Sequence, residues 1–417
     1  MDILSSFSAL RHRNFRLFWI GQCISLIGTW MQNIGQAWLV LQITQSAFKL
    51  SLVSSIQFLP MMIFALFAGT LVDKFPRRRI LLFTQTSLMV LAVILACLTY
   101  FQVVEYWHLL LLALLLGIIN TIDMPTRQSF FVEMVGKEDL MNAIALNSSI
   151  FNLARIVGPA VAGFLISLVG IAMCFYINAL SFLAVLIGLW MIDTPAKVVP
   201  HEGTGSIRGV FADIGEGLSY IGKNDIILQP LLLLAIISIF VMNFNVLIPV
   251  FAKQDLGQDA AGYGLLMTCM GIGSFLGALH LAARSKKGPK ISFLISGAVG
   301  MSLTMIFLGF EHNFTIACLT LLIMGFCAIT FTALVNSTIQ MNTEDYMRGR
   351  VMSVYSLVFG GMVPIGSFYA GYVMEFFGAQ GCMKISGVIG VLAVAYTLFT
   401  LRKSFHKQKH IESIPGA

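Results

Sequence analysis

Long apolar runs separated by short polar ones set the plan of this 417-residue chain. They fall at 15–42, 49–72, 80–102, 107–132, 140–169 and 171–192. A polar segment follows at 193–226, and apolar runs resume at 228–252, 260–283, 290–310, 313–340, 348–377 and 380–401. Crossing a bilayer takes about 20 predominantly apolar residues, so each run is long enough. The pattern predicts an all-α membrane protein with twelve transmembrane helices in two six-helix bundles, 1–192 and 227–417, the second ending in a cytoplasmic tail.

The polar segment has a pattern of its own. Ile207, Val210, Phe211, Ile214, Leu218 and Ile221 recur at helical spacing, with Arg208, Asp213, Glu216 and Lys223 between them. This predicts an amphipathic helix lying at the membrane surface within a 193–226 linker.

Composition removes the soluble alternative. Hydrophobic residues make up 58% of the chain and charged residues 11%, and the mean hydropathy is +0.87. Soluble domains carry about 25% charged residues, so too few are present here to coat a water-facing surface. The apolar run after the first 13 residues is too long for a signal-peptide core, and it reads as a retained first span.

The net charge of +7 raises the question of nucleic acid, and its distribution answers it. With the N-terminus inside, all Lys and Arg except Lys49, Lys253 and Lys384 fall on the cytoplasmic side or in cytoplasmic halves of spans. That is the positive-inside bias, and it predicts both termini and the linker in the cytoplasm of a multi-pass inner-membrane protein. No nucleic-acid partner is needed to explain it.

Two other chemistries find no support. The seven cysteines are scattered with no C-x-x-C pair or Cys/His cluster, so neither a metal site nor a disulfide framework is expected. Gly217 to Asn224 approaches a phosphate-binding loop, but Asn224 stands where a Ser or Thr must hold magnesium and no strand precedes it. Nucleotide is therefore not an expected partner.

An internal repeat organises the chain. Gly117, Gly158, Gly163 and Gly170 match Gly325, Gly366, Gly371 and Gly378 at an offset of 208. Two halves related by an axis along the membrane normal form a transporter architecture, with substrate between them near mid-membrane.

Between spans two and three lies Gly69-Thr-Leu-Val-Asp73-Lys74-Phe-Pro76-Arg77-Arg78-Arg79. This resembles the G-x-x-x-D-[RK]-x-G-[RK]-[RK] signature of the major facilitator superfamily, with Pro76 where glycine is usual. The resemblance extends over the whole chain and implies that the loop latches the cytoplasmic gate. Physically, Asp73 reaches the surface where span eleven presents its positive N-terminal end, a favourable pairing, and Gly69 lets the helices approach.

Charges inside spans are costly and informative. Asp123 and Arg127 stand four apart in span four and can pair on one helix face, while Arg155 adds a charge in span five. Asp123 is either a proton carrier that pairs and unpairs or one end of a fixed bridge to Arg127 or Arg155. These positions, with the packing motif Gly158, Pro159 and Gly163, resemble the drug-exporter branch, in particular its macrolide-efflux and enterobactin-exporter-like members. Gln32, Gln36, Asn120, Asn147, Asn243 and Asn336 are amides within spans, able either to line a cavity or to join packed helices.

The expected function is proton-coupled export of a bulky amphipathic or neutral small molecule by a monomer, with no bound cofactor. A metabolite or sugar symporter on the same fold remains an alternative, and a non-transporting sensor a remote one. No span carries the clustered His, Asp and Glu of an enzyme site.

Overall fold

The computed structural model describes residues 7–72, 75–192, 207–284 and 288–412, with side chains outside 65–72, 207–213 and 402–412. Fourteen α-helices account for nearly all of it, and no strand occurs among the described residues. The first six are α1 (Arg13–Thr44), α2 (Ala47–Val72), α3 (Arg77–Tyr100), α4 (Tyr106–Val135), α5 (Leu140–Val169) and α6 (Ile171–Met191). The linker forms α7 (Ile207–Gly222). Beyond it come α8 (Asp225–Phe240), α9 (Phe244–Val250), α10 (Ala260–Arg284), α11 (Ile291–Leu308), α12 (Phe314–Met341), α13 (Arg348–Gly361) and α14 (Val363–Glu412).

Ten segments are long and apolar enough to cross a membrane, and one of them, Arg348–Leu401, is 54 residues long. It contains two crossings, because α14 turns at Gly378, whose φ of 68° lies in the left-handed region. Adding α1 makes twelve. That helix is 32 residues long, about 48 Å at 1.5 Å per residue, but its amides lower its hydropathy.

Two spans are broken where a continuous helix was expected. The seventh is interrupted between α8 and α9, and the Asn243 amide donates to the Ile239 carbonyl at 2.7 Å. A backbone group freed inside a membrane must find a partner, and this side chain supplies one. A π-helical turn, Phe251–Asp255, continues the span. The eleventh is interrupted at Met362, just before Val363-Pro364, where proline cannot donate a helix hydrogen bond.

The glycine repeat has a structural meaning at every pair. Gly117 brings α4 onto the Gln57 carbonyl of α2, and Gly325 brings α12 onto the Met270 carbonyl of α10. Gly158 packs on Trp30 of α1, and Gly366 on the Ser238 and Ile239 carbonyls of α8. Gly170 and Gly378 both take positive φ, 87° and 68°, at turns between successive spans. Two cysteines obey the same offset: Cys174 donates to the Ala162 carbonyl and Cys382 to that of Ala370, each at 3.8 Å.

Helices α1–α6 pack among themselves, as do α8–α14, and the two groups meet along α5–α10 and α2–α14. Gly163 rests on Ala260 and Ala261 at one seam, and Gly371 on Phe48 and Ser51 at the other. The amphipathic helix α7 lies against α8 and α13. Its Ile221 is buried, and Glu216 pairs with Arg350 at 3.3 Å. Gly217 lies inside this helix against the Arg350 carbonyl. Elsewhere at the same end, Asp139 meets His12 at 2.7 Å, and hydrogen bonds from Ser8 and His12 hold its carboxyl below the usual range.

Candidate functional site

Two ends of the molecule can be told apart by chain connection. The linker end carries α7 and the 135–140 and 341–348 turns, while the far end carries the 44–47, 100–106, 169–171 and 255–260 turns. Side-chain contacts between the two groups concentrate from mid-span to the far end. Lys253 donates to the Leu41 carbonyl at 2.9 Å and lies 5.8 Å over the Trp38 ring. Trp38 stacks on Tyr263 at 6.0 Å, and Ser55 donates to the Pro364 carbonyl at 2.9 Å. Nearer mid-span, Arg155 of α5 meets Ser274 of α10.

Two adjoining cavities lie around mid-span. One, of about 330 Å³, sits within α1–α6 and is lined by Gln32, Asn33, Gln57, Asn120, Asp123, Arg127 and Asn147 among others. The second, of about 520 Å³, lies between the groups and shares Met124, Asn147 and Phe151 with the first. Trp30, Arg155, Asn245, Met267, Met270 and Thr332 add to its wall. Asn120, Met124, Gln128 and Phe151 are exposed on these walls.

Asp123 is 1% exposed and stands at the centre of a polar cluster. Its carboxylate pairs with Arg127 and accepts from Thr84 Oγ1 at 2.6 Å and Gln85 Nε2 at 2.8 Å. Arg127 also donates to Gln22 Oε1. The carboxylate joins α3 to α4, and Arg127 extends the link to α1. The desolvation cost of a buried pair is offset only when such bonds are made.

The structure keeps some sequence candidates together and separates others. Asp123 and Arg127 form the i,i+4 pair expected of them. Arg155 does not join it: its guanidinium turns to the other group of helices and meets Ser274. Gln32, Asn120 and Asn147 line the smaller cavity, and the Gln32 amide oxygen also accepts from Asn178 at 2.6 Å. Gln36 lines a small pocket with Asn33, Gln57 and Asn245 and meets Gln57 at 3.4 Å.

Two amides leave the cavity set. Asn243 is 5% exposed and serves the helix break, and Asn336 accepts from Gln340 one turn along α12 at 2.6 Å. Thr84, Gln85 and Gln22 were missed as partners of Asp123. The available signal was a polar pair and a glutamine inside otherwise apolar spans.

The signature loop is only partly visible. Asp73 and Lys74 lie outside the described residues, and Gly69 is on α2. Arg77 pairs with Glu133, and Arg78 donates to the Leu189 and Trp190 carbonyls at 2.7 and 2.8 Å. That places a cation at the negative C-terminal end of α6, a favourable position. Gly158, Pro159 and Gly163 form the packing face expected of them, with the Pro159 carbonyl close to Gly264 of α10.

Twelve spans in two pseudo-symmetric groups around a central polar cavity define a secondary transporter of the major facilitator fold. A family model described as transmembrane secretion effector, a branch of the major facilitator superfamily, matches residues 4–415. The chain belongs to that family.

Its relatives include a staphyloferrin A transporter of Staphylococcus aureus (strain NCTC 8325 / PS 47), 25% identical over 93% of this chain and 96% of the relative. The multidrug efflux pump Tap of Mycolicibacterium fortuitum is 25% identical over 86% and 89%. Macrolide efflux protein A of Streptococcus pyogenes is 22% identical over 90% and 93%. Among solved structures, an inward-facing, unoccupied bacterial homologue of the human lysosomal transporter Spinster gives a TM-score of 0.74 at 14% identity, over 94% of this chain and 97% of that one.

Proposed function

We propose that the chain is a proton-driven exporter of a bulky amphipathic or neutral small molecule, drug-like or siderophore-like, working by alternating access. The observation that carries this reading is the pair of cavities that share Met124, Asn147 and Phe151 and are walled by amides, methionines and aromatics, with contacts between the two groups at the far end. The names of two relatives, both efflux proteins, support export over import, and a third, a staphyloferrin A transporter, supports a siderophore-like cargo.

The bias of Lys and Arg supports a cytoplasmic linker end, with both termini there and the protein in the inner membrane. On that orientation the described state faces inward. The bundles 1–192 and 227–417 then rock about the linker in a monomer that leaves its substrate chemically unchanged, and no nucleotide or nucleic acid takes part. In the opposite state, Asp73 sits over the N-terminus of α13 and closes the cytoplasmic side.

Asp123 is the coupling carboxylate in this scheme. It lines the smaller cavity and is held by Arg127, Thr84 and Gln85, so a change in those contacts between states would reach it directly. The direct experiment uses everted membrane vesicles energised with a proton gradient and supplied with a panel of macrolides and siderophores. Accumulation inside, abolished by a protonophore, is expected. Gradient-driven loss from the vesicles points instead to an importer.

A further inference from the structure

Arg155 has a charge that nothing else in the described structure balances. It lines the larger cavity, whose walls hold no aspartate or glutamate. Asp123, the one acid lining the adjoining cavity, is already engaged by Arg127, Thr84 and Gln85. The described partner of Arg155 is the hydroxyl of Ser274. That hydroxyl also lies 3.0 and 3.1 Å from the Met270 and Gly325 carbonyls. Its proton goes to a carbonyl, so it offers the guanidinium a lone pair that orients the group without neutralising it.

A guanidinium has five N–H donors in a planar fork suited to a carboxylate. One is taken by Ser274. A charge at this depth is costly, and a neutral glutamine could make the same bond to serine. The placement makes physical sense when the counter-charge arrives with the cargo.

We propose that Arg155 is the recognition group for an anionic substrate, an amphipathic molecule whose carboxylate pairs with the guanidinium while its apolar body lies against Trp30, Phe151 and Met270. The cavity of about 520 Å³ falls in the range that holds drug-sized ligands. Asn147 and Asn245 add neutral hydrogen-bonding groups to its wall. This rests on the reading that a small molecule crosses through the central cavity, and it narrows that molecule's class.

The test uses the full-length protein in lipid nanodiscs and two fluorescent probes of one shape, dansylglycine and its neutral amide, dansylglycinamide. Wild type is expected to bind the carboxylate about tenfold more tightly than the amide, in line with the strength of charge-assisted hydrogen bonds. Arg155→Gln should bring the ratio to about one with amide binding unchanged. Arg155→Lys, which keeps the charge and loses the fork, should fall between and serves if the glutamine variant does not fold.

Equal loss of both probes in Arg155→Gln marks a purely structural strut and overturns the proposal. So does a wild type that binds neither probe, binds both equally, or prefers the cationic dansylcadaverine. Equilibrium binding does not depend on the direction of transport, so failure of the export reading would leave this result standing.

Discussion

Lys253 reaches from the π-helical turn of the seventh span to the carbonyl of Leu41 at the end of α1, 2.9 Å away, and so ties the two halves at the far end. The carbonyl belongs to the last turn of a helix, where partial negative charge collects, and the Trp38 ring beneath the ammonium adds a second attraction. Such contacts contribute about 0.3–1 kcal/mol each.

Lys253→Gln should therefore shift the balance toward states open at the far end by roughly five- to tenfold, a free-energy change of about 1 kcal/mol. Spin labels at Thr44 and Gln258 in a cysteine-free background would report the separation by pulsed electron resonance. An unchanged distance distribution removes the gate role from Lys253.

Asp123→Asn should abolish uphill transport driven by a proton gradient and leave substrate exchange without a gradient largely intact. Proteoliposome counterflow at equal pH on both sides separates the two. If exchange and folding yield fall together, the carboxylate is a fixed bridge and coupling lies elsewhere.

Thr84→Val keeps the volume and removes a donor to that carboxylate. Hydrogen bonds to charged groups contribute about 1.5–3 kcal/mol, so thermal unfolding in detergent should move down by several degrees. An unchanged melting curve would mean that Gln85 and Arg127 suffice.

Gly117→Ala and Gly325→Ala should damage the fold in parallel, because each new Cβ meets a backbone carbonyl that has no side chain to move aside. Overpacking of this kind costs about 1–3 kcal/mol. Gly349→Ala is the control, with nothing within 4 Å of its Cβ position. Fluorescence-detected size exclusion after heating ranks the three, and a stable Gly325→Ala protein would break the equivalence of the halves.

How much of this was legible in the sequence depended on distance along the chain. The twelve apolar runs, the amphipathic 207–222 segment and the glycine offset are properties of local spacing, and their helices end within a few residues of the expected places except the last, which runs on to Glu412 past the expected 401. The Asp123–Arg127 pair was visible because i,i+4 neighbours share a helix face. Its other partners were not, since Thr84, Gln85 and Gln22 depend on how α1 and α3 are rotated against α4. The role of Asn243 stayed open for the same reason. An amide that fills a helix break and an amide that faces a cavity look alike until the break itself is seen. Arg155 pointed the wrong way because sequence offered it a nearby acid, whereas packing at Gly271 brought α10 closer.

A fusion test fixes orientation independently of all these contacts. A reporter active only in the cytoplasm, joined after Gly203 or at the C-terminus, should give signal, and one joined after Phe310 should not. The reverse pattern would turn the molecule over and make the described state outward-facing.

The two seams are not alike. Gly163 with Ala260 and Ala261 sets backbone nearly against backbone, whereas Gly371 meets the side chain of Ser51 and, beside it, the Phe48 ring packs edge to face on Phe368 at 5.7 Å. The first can work as a bearing, where rotation exchanges one smooth contact for another. The second works as a catch, because a ring must leave its seat before the bundles part there.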